Sequence, residues 1–191
     1  MTVEEWGDLD EEIEGELVDG ILEEEEMATF LHEIVVMWLA QALRSWVRQR
    51  HGYVAGSEAK IAVGPRRGRK PDLSVYLRGK APALADTLVR TPPHIVVEVV
   101  SPRPRDARRD RVEKISDYAR TGIRYYWILD PQLRTLEILE LDASAHYRVA
   151  VARSRGKLRI PGCPQLVLKL DDLWAEVDEA ERQQKRRMKN S

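Results

Sequence analysis

The sequence predicts an α/β fold, an α+β arrangement in which helices flank a mixed central sheet. Three segments support this prediction. Residues 27–50 have the three-and-four spacing of an amphipathic helix, residues 94–100 form a mostly β-branched run, and residues 107–121 again have helical spacing. No internal repeat or linker separates these elements. We therefore expect residues 1–191 to form a single domain, with an acidic N-terminal arm (about 1–14) and a basic C-terminal tail (about 175–191).

Composition excludes several classes of protein. The chain has 191 residues, and its 43% hydrophobic and 33% charged content fits a soluble globular protein. A single cysteine, Cys163, excludes an internal disulfide and a zinc site built from several cysteines. A secretory signal needs basic residues near its start, whereas residues 1–26 contain neither Lys nor Arg. The longest apolar run, 34–40, is too short to span a membrane. We expect a cytoplasmic protein.

Charge is unevenly distributed along the chain. Residues 1–26 hold 13 acids and no base, so the remainder carries 31 bases against 19 acids, a net charge of +12. A basic body of this kind favours a polyanionic partner such as DNA. The alternative is that these are ordinary solvated surface charges.

The first elements are a hairpin and a long helix. Residues 16–22 are two short strand segments around Asp19-Gly20, a typical two-residue turn. The helix of residues 27–50 ends at His51-Gly52. Its predicted apolar face consists of Leu31, Ile34, Val35, Trp38, Ala42, Leu43 and Trp46.

Two strands and a basic loop follow this helix. Residues 53–63 and 71–77 are the predicted strands, and residues 64–70 are the loop between them. Side chains alternate across a strand, so residues 73, 75 and 77 share one face and residues 72, 74 and 76 share the other.

The segment from His94 to Gly122 contains a strand, a turn and a helix. The run of residues 94–100 is bounded by prolines and predicts a strand buried on both faces, in which Glu98 needs a partner. Asp106 is the predicted N-cap of the following helix, and Lys114 flanks the apolar stripe of that helix. Further predicted strands are 123–130, 134–141, 146–152, 156–160 and 165–170, before a C-terminal helix or tail from Leu173.

Asp72, Glu98 and Lys114 are the residues with the clearest chemical potential. Acids on adjacent central strands can converge on one divalent cation, and Mg²⁺ typically takes one or two carboxylates together with water and phosphate. A nearby amine would stabilise developing negative charge, and together these groups can hydrolyse a phosphodiester. On spacing alone an alternative stays open: Glu98 and Lys114 form a buried ion pair, and Asp72 only turns a strand after Pro71.

The same residues resemble a known family. Pro71-Asp72 and residues 98–102 look like the motif of the PD-(D/E)XK nuclease superfamily, and more of the chain resembles the Uma-two family of restriction-endonuclease-like proteins. The matching segments are 15–20, His32, 71–75, 95–102, Lys114 with Tyr118, and 122–131. In the superfamily the lysine lies two residues after the second acid, where this chain has Val100. The resemblance implies that Lys114 on the next helix takes its place.

This resemblance implies a restriction-endonuclease-like core and a nuclease that acts on DNA with Mg²⁺ or Mn²⁺. It implies metal ligation by Asp72 and Glu98, catalysis by both acids with Lys114, and an outer metal ligand in Glu58 on the strand before Asp72. Glu16, His32 and Tyr118 are possible further site residues, although Glu16 could equally stabilise the hairpin and His32 could pack in its helix. Candidate phosphate contacts are Arg66, Arg67, Arg69, Lys70, Arg103, Arg105, Arg108 and Arg109.

Two further expectations concern partners and activity. Cleavage of both strands of a duplex favours a two-fold pair, so a homodimer is plausible. The displaced lysine also leaves open a non-catalytic module that binds nucleic acid or protein on a nuclease-like fold. No separate DNA-reading motif is recognisable in the sequence.

Overall fold

A computed structural model describes residues 1–10, 13, 15–24, 28–102 and 108–189. The predicted N-cap Asp106 lies outside these residues, as do Arg103 and Arg105. The helices are α1 (Val3–Gly7), α2 (Phe30–Arg48), α3 (Lys114–Thr121) and α4 (Leu170–Lys189), and a π-helical segment, Arg109–Glu113, leads directly into α3. Of the helices in the described ranges, none combines the length and apolar character that a membrane crossing requires.

Twelve strands in the described ranges form three sheets. They are β1 (Glu16–Val18), β2 (Ile21–Glu23), β3 (Tyr53–Ala55), β4 (Ile61–Gly64), β5 (Arg67–Arg69), β6 (Leu73–Tyr76), β7 (Ile95–Val99), β8 (Tyr125–Asp130), β9 (Thr135–Leu141), β10 (Tyr147–Arg153), β11 (Lys157–Arg159) and β12 (Val167–Lys169). The largest sheet has the order β10-β9-β8-β7-β6-β3, and a smaller one has the order β2-β1-β5-β4. Strands β11 and β12 pair with each other.

The large sheet is mixed, which confirms the predicted fold class. Strands β7 and β8 run parallel, whereas the other pairs in this sheet are antiparallel. Every residue of β6, β7 and β8 is buried, because helices or other strands cover both faces of the sheet centre. The centre of this sheet is where the predicted site residues lie.

The two faces of the sheet pack against different partners. Leu73, Val75 and Val97 belong to the core that contains α2 and α4. Tyr76 and Val96 face the other way, into the core that contains Tyr118 of α3. By strand alternation Glu98 faces the α3 side, together with Val96. The predicted alternation of residues 72–77 is thus confirmed.

Helix α2 is rotated slightly from the predicted orientation. Its buried apolar residues are Val35, Leu39, Leu43, Trp46 and Val47. Ile34 and Trp38, predicted to face the core, are only half-buried. The buried face is defined by residues 35, 39, 43 and 46, which have the three-and-four spacing of one side of a helix. Leu39, which the predicted apolar face left out, is at the centre of this buried face.

The prediction of one strand over residues 53–63 was wrong. Strand β3 pairs with β6 in the large sheet, whereas β4 pairs with β5 in the small sheet. Residues 67–69, predicted as a loop, form strand β5, which also pairs with β1. In this small sheet Trp6 of α1, which is fully buried, packs against the backbone of Gly68.

Gly68→Ala is expected to destabilise the protein by about 1–3 kcal/mol, the usual cost of overpacking a core. A Cβ at this position would lie 2.1 Å from the Cζ3 atom of Trp6, and the indole ring cannot move away easily because it is fully buried. Urea unfolding measures the change. Gly56→Ala is the matched control, since a Cβ there meets nothing within 4 Å. Equal stabilities of the two variants would contradict the packing described.

Candidate active site

Asp72 and Glu98 lie side by side at the centre of the large sheet. Asp72 immediately precedes β6, Glu98 belongs to β7, and these two strands pair antiparallel. The Oδ2 atom of Asp72 accepts a 2.6 Å hydrogen bond from the backbone N–H of Val99, which fixes the carboxylate beside the end of β7. Both acids line one cleft, whose cavity volume is about 160 Å³. The two predicted acids are therefore close enough to act on one bound group.

The amine of Lys114 reaches this pair from the start of α3. Its Nζ atom lies 3.0 Å from Oε2 of Glu98, 3.3 Å from Oδ1 of Asp110 and 3.4 Å from Oε1 of Glu16. We call these four residues the carboxylate–lysine cluster. All four are buried, so their charges interact through a medium of low polarity. A helical lysine thus occupies the space beside the second acid.

The π-helical segment and α3 set the position of Lys114. The Tyr126 hydroxyl donates to the backbone carbonyl of Asp110 at 2.8 Å, which anchors the segment to β8. The Tyr118 hydroxyl donates to Oε1 of Glu98 at 2.6 Å, so one side chain joins α3 to β7. The helix ends at Gly122, whose φ of 81° is the left-handed conformation that favours glycine. Short π-helical insertions are frequent at functional sites.

A buried ion network supports the cluster from the small sheet. The carboxylate of Glu16 accepts from the Arg69 guanidinium at 2.7 Å and from the backbone N–H of Lys70 at 3.0 Å. The fully buried Arg69 also donates to Asp117 of α3, at 2.9 Å and 2.7 Å. Glu16, predicted either to stabilise the hairpin or to join the site, lies on β1 and contacts Arg69 and Lys70 of the neighbouring segment as well as Lys114.

The acids of the site differ in the direction of their pKa shifts: the pKa is raised for Glu98 and Asp110 and lowered for Glu16. Burial raises the pKa of Glu98 well above its usual value; Lys114 opposes this rise, and the charges of Asp110, Asp72 and Glu16 add to it. Burial likewise raises the pKa of Asp110. Burial would also raise the pKa of Glu16, but Lys114 and Arg69 hold it below the usual value. Glu98 and Asp110 are thus acids whose negative charge the protein does not fully compensate.

Lys114 remains positively charged. Burial alone lowers the pKa of an amine, but the neighbouring carboxylates, led by Glu16, raise the pKa of Lys114 well above its usual value. The cleft therefore contains a permanent positive charge next to the two acids. A charge so placed is suited to stabilising an anionic group in the cleft.

His32 contacts Asp72 from the first turn of α2. The Thr29 side chain caps this helix by accepting from the backbone N–H of His32, and Nε2 of His32 lies 3.3 Å from Oδ1 of Asp72. Burial opposes protonation of His32, but Asp72 and Glu33 outweigh burial and raise its pKa. His32 therefore orients Asp72 rather than only packing in its helix.

Glu58 is not on a strand, contrary to the prediction. It lies in the turn between β3 and β4, at the rim of the cleft, with its side chain 88% exposed. Its Oε2 atom is 3.0 Å from the amine of Lys70. An outer role at the site stays possible only from this rim position.

The predicted phosphate contacts fall into distinct environments. Arg69 points inward and is saturated by carboxylates, which leaves it unsuited to contact a phosphate, and Arg67 pairs with Asp19 and Asp117. Arg66 and Arg108 are exposed. Arg109 and Lys70 line the cleft, where a phosphate would meet them first.

Asp110 is the site residue that the sequence analysis missed. It lies four residues before Lys114 in a segment predicted to be helical, a spacing that places two side chains on the same face. That spacing could have identified Asp110 as a neighbour of Lys114. An acid one turn before a lysine is also the spacing of a common surface ion pair, so the pattern alone does not distinguish a site residue from a surface pair.

Among the described residues no group of three or more His, Cys, Asp or Glu side chains is arranged to hold a metal ion. Mg²⁺ does not require such a group, since one or two carboxylates together with waters suffice. Asp72 and Glu98 offer two hard oxygen donors in one polar cleft, and the uncompensated charge of the neighbouring acids favours a cation there. The residues present fit a magnesium or manganese ion.

Comparison with known proteins agrees with this geometry. Residues 3–171 match the family model Uma2, described as "Putative restriction endonuclease". The chain belongs to the Uma2 family. The resemblance to the Uma-two family inferred from the sequence motifs is thereby confirmed, since the matched residues cover most of the chain. A comparison with curated proteins gave no match.

A solved structure has a fold similar to that of this chain. It is described as a "putative nuclease belonging to DUF820" from Anabaena variabilis, and it is 20% identical to this chain. The similarity covers 92% of this chain and 98% of that one, with a TM-score of 0.75. At this identity the likeness concerns the fold. It shows that the mixed sheet and its flanking helices form the same fold as that structure.

Proposed function

We propose that this Uma2 protein is a metal-dependent nuclease that hydrolyses phosphodiester bonds in DNA. The observation that carries the proposal is the meeting of two acids and one amine, Asp72, Glu98 and Lys114, in one polar cleft. The family description and the nuclease-like fold support the reaction class. A basic body, with a net charge of +12 outside residues 1–26, supports a polyanionic substrate.

Asp72 and Glu98 would hold the ion, and Glu58, at the rim of the cleft, would contact the ion only through a water molecule. When bound, Mg²⁺ or Mn²⁺ polarises a phosphoryl oxygen and lowers the pKa of a water molecule. The N–H of Val99 and the imidazole of His32 keep the Asp72 carboxylate aimed into the cleft. The Tyr118 hydroxyl does the same for Glu98.

Lys114 supplies the charge that the reaction needs. Its amine stabilises negative charge that develops on the phosphate, and its raised pKa keeps it protonated through the neutral range. Asp110 and Glu16 hold the amine in place from two sides. Arg109 and Lys70, which line the same cleft, are placed to bind phosphates of the substrate backbone.

The test is cleavage of supercoiled plasmid DNA by the purified protein. We expect nicking or linearisation with Mg²⁺ or Mn²⁺ and none with EDTA. Asp72→Asn should abolish the reaction, because the amide keeps the shape of the side chain but loses its charge. Cleavage that continues in EDTA, or in Asp72→Asn, would contradict the proposed site.

Asp110→Asn is expected to lower the cleavage rate by about 10- to 100-fold, the usual effect of removing a residue that orients a catalytic group. The variant keeps the shape of the π-helical segment but weakens the hold on the amine of Lys114, which lies 3.3 Å away. Steady-state rates on a labelled oligonucleotide duplex measure the change. Glu113→Gln is the control, since this acid is in the same segment with its side chain 41% exposed. Equal cleavage rates in the two variants would show that Asp110 has no role in positioning Lys114.

One observation favours a second candidate, a non-catalytic binding module. The amine of Lys114 is surrounded by three carboxylates, and Glu98 already accepts from Tyr118, so the cluster also satisfies itself as a buried structural network. Calorimetric titration with Mg²⁺ discriminates the two candidates. Binding that disappears in Glu98→Gln supports the nuclease, whereas absence of binding in the unmodified protein supports the module.

A further inference from the structure

The outward face of α2 carries large apolar side chains that the fold leaves uncovered. Phe30 is 80% exposed and Met37 is 64% exposed. Together with Ile34 and Trp38 they line a predominantly apolar groove with a volume of about 560 Å³. Single exposed apolar residues are common on soluble proteins, but a contiguous group in a groove marks an interaction surface.

The charged residues of this groove make it complementary to itself. Glu33 and Arg44 both line it, and they are eleven residues apart, just over three turns, so they lie along the same edge of the helix. The acid is near the start of α2 and the base is near its end. Two such helices packed antiparallel would therefore bring the acid of each copy towards the base of the other.

We propose that this face binds a second copy of the chain, with the two α2 helices antiparallel around a two-fold axis near Met37. The lining residues of α2 extend from Phe30 to Arg44, and Met37 is the midpoint of that span. In this arrangement Met37 packs against itself, Phe30 lies opposite Arg44 of the other copy, and Glu33 lies about one turn from that arginine. Because Phe30 of one copy faces Arg44 of the other, the two side chains can also form a cation–π contact.

Self-complementarity favours a second copy over an unrelated partner. A two-fold interface uses the same patch on both subunits, so each copy must supply both members of every pair. The patch meets this requirement with an apolar centre and with Glu33 and Arg44 on the same helix, while a second acid, Glu176 of α4, also lines the groove. An unrelated partner would need only the apolar centre.

The proposed interface adjoins the catalytic cleft. Glu33 lines both the groove of α2 and the cleft that contains Asp72 and Glu98. A dimer of this kind therefore places the two clefts on either side of the two-fold axis and next to the interface. That consequence for cutting a duplex rests on the proposed nuclease function, whereas the dimer itself does not.

Sedimentation equilibrium of the full chain, from about 1 to 100 µM, tests the dimer, because association of two copies depends on concentration. We expect a monomer–dimer equilibrium that Met37→Glu shifts to monomer. Met188→Glu is the matched control, since Met188 is 74% exposed on α4, away from the groove, and it should leave the equilibrium unchanged. A chain that stays monomeric throughout, or a dimer that Met37→Glu leaves intact, would overturn the proposal.

A charge exchange tests the antiparallel arrangement separately. Glu33→Arg and Arg44→Glu should each weaken dimerisation by roughly tenfold or more, because like charges then face each other across the interface. The double variant with both changes should recover the dimer. Failure of the double variant to recover, with each single variant folded by circular dichroism, would overturn the antiparallel pairing. These readouts are independent of DNA cleavage, so a catalytically inactive chain would still give a clear result.

Discussion

Glu98→Gln is expected to reduce DNA cleavage by at least about 100-fold, since loss of residues that only support a metal ligand already costs 10- to 100-fold in affinity or activity. Glutamine has the same shape, and its amide oxygen can still accept from the Tyr118 hydroxyl, 2.6 Å away in the native protein. What it loses is the negative charge that a divalent cation needs. Initial rates on a duplex oligonucleotide at saturating Mg²⁺ measure the effect.

The same substitution is expected to change how the stability of the protein depends on pH. Glu98 has a raised pKa in the folded state, so its ionised form is disfavoured by folding. The resulting cost is absent below the ordinary value of 4.5 and grows as pH rises through the folded-state pKa. Glutamine removes this cost, so the unfolding free energy of the variant relative to that of the native protein should be higher at pH 8 than at pH 4.

Glu58→Gln is the comparison for both effects. Glu58 is exposed at the rim and pairs with Lys70, so its replacement should alter cleavage much less than that of Glu98 and should not change stability with pH in the same way. A Glu98→Gln protein that cuts DNA at the native rate would contradict the assigned role. A pH-independent stability difference would contradict the buried environment.

Arg69→Met is expected to destabilise the protein by about 3–5 kcal/mol, the usual cost of removing one partner from a buried ion pair. The guanidinium is fully buried and donates to both Glu16 and Asp117. Its loss leaves carboxylates of β1 and α3 without their shared cation, and solvation cannot replace that cation. Chemical denaturation measures the change in unfolding free energy.

Arg66→Met is the matched control, because Arg66 is an exposed arginine in the same hairpin. Substitutions at such positions usually change stability by less than about 0.5 kcal/mol. Equal effects at the two positions would show that the Glu16–Arg69–Asp117 network does not hold the small sheet to α3. Because Glu16 also contacts Lys114, the Arg69 variant should lose activity even under conditions where it remains folded.

Sequence reasoning predicted the parts of the structure that depend on local pattern. The alternation of residues 72–77, the buried strand with Glu98 and the proximity of Lys114 all follow from periodicity and from the cost of burying a charge. The antiparallel pair β9–β10 was predicted for the same reason, and β11 and β12 were predicted as strands. These features need no knowledge of distant contacts.

The features that were missed depend on contacts between distant segments. Residues 53–63 are divided between two sheets: β3 pairs with β6, and β4 pairs with β5, whose Gly68 packs against Trp6, 62 positions away in sequence. The inward orientation of Arg69 follows from Glu16 and Asp117, which lie on β1 and α3. The basic residues in 66–70 were predicted to bind phosphate from their charge. Charge alone does not tell which way a side chain faces, so the prediction could not recognise that Arg69 is buried.

The central claim is that Asp72 and Glu98 jointly hold one divalent cation beside Lys114. Anomalous diffraction from crystals soaked in Mn²⁺ tests it most directly. We predict a single strong anomalous peak within coordination distance of both carboxylates, with the Lys114 amine close by. A soaked crystal without a peak between these two acids, or with the ion bound elsewhere, would contradict the account.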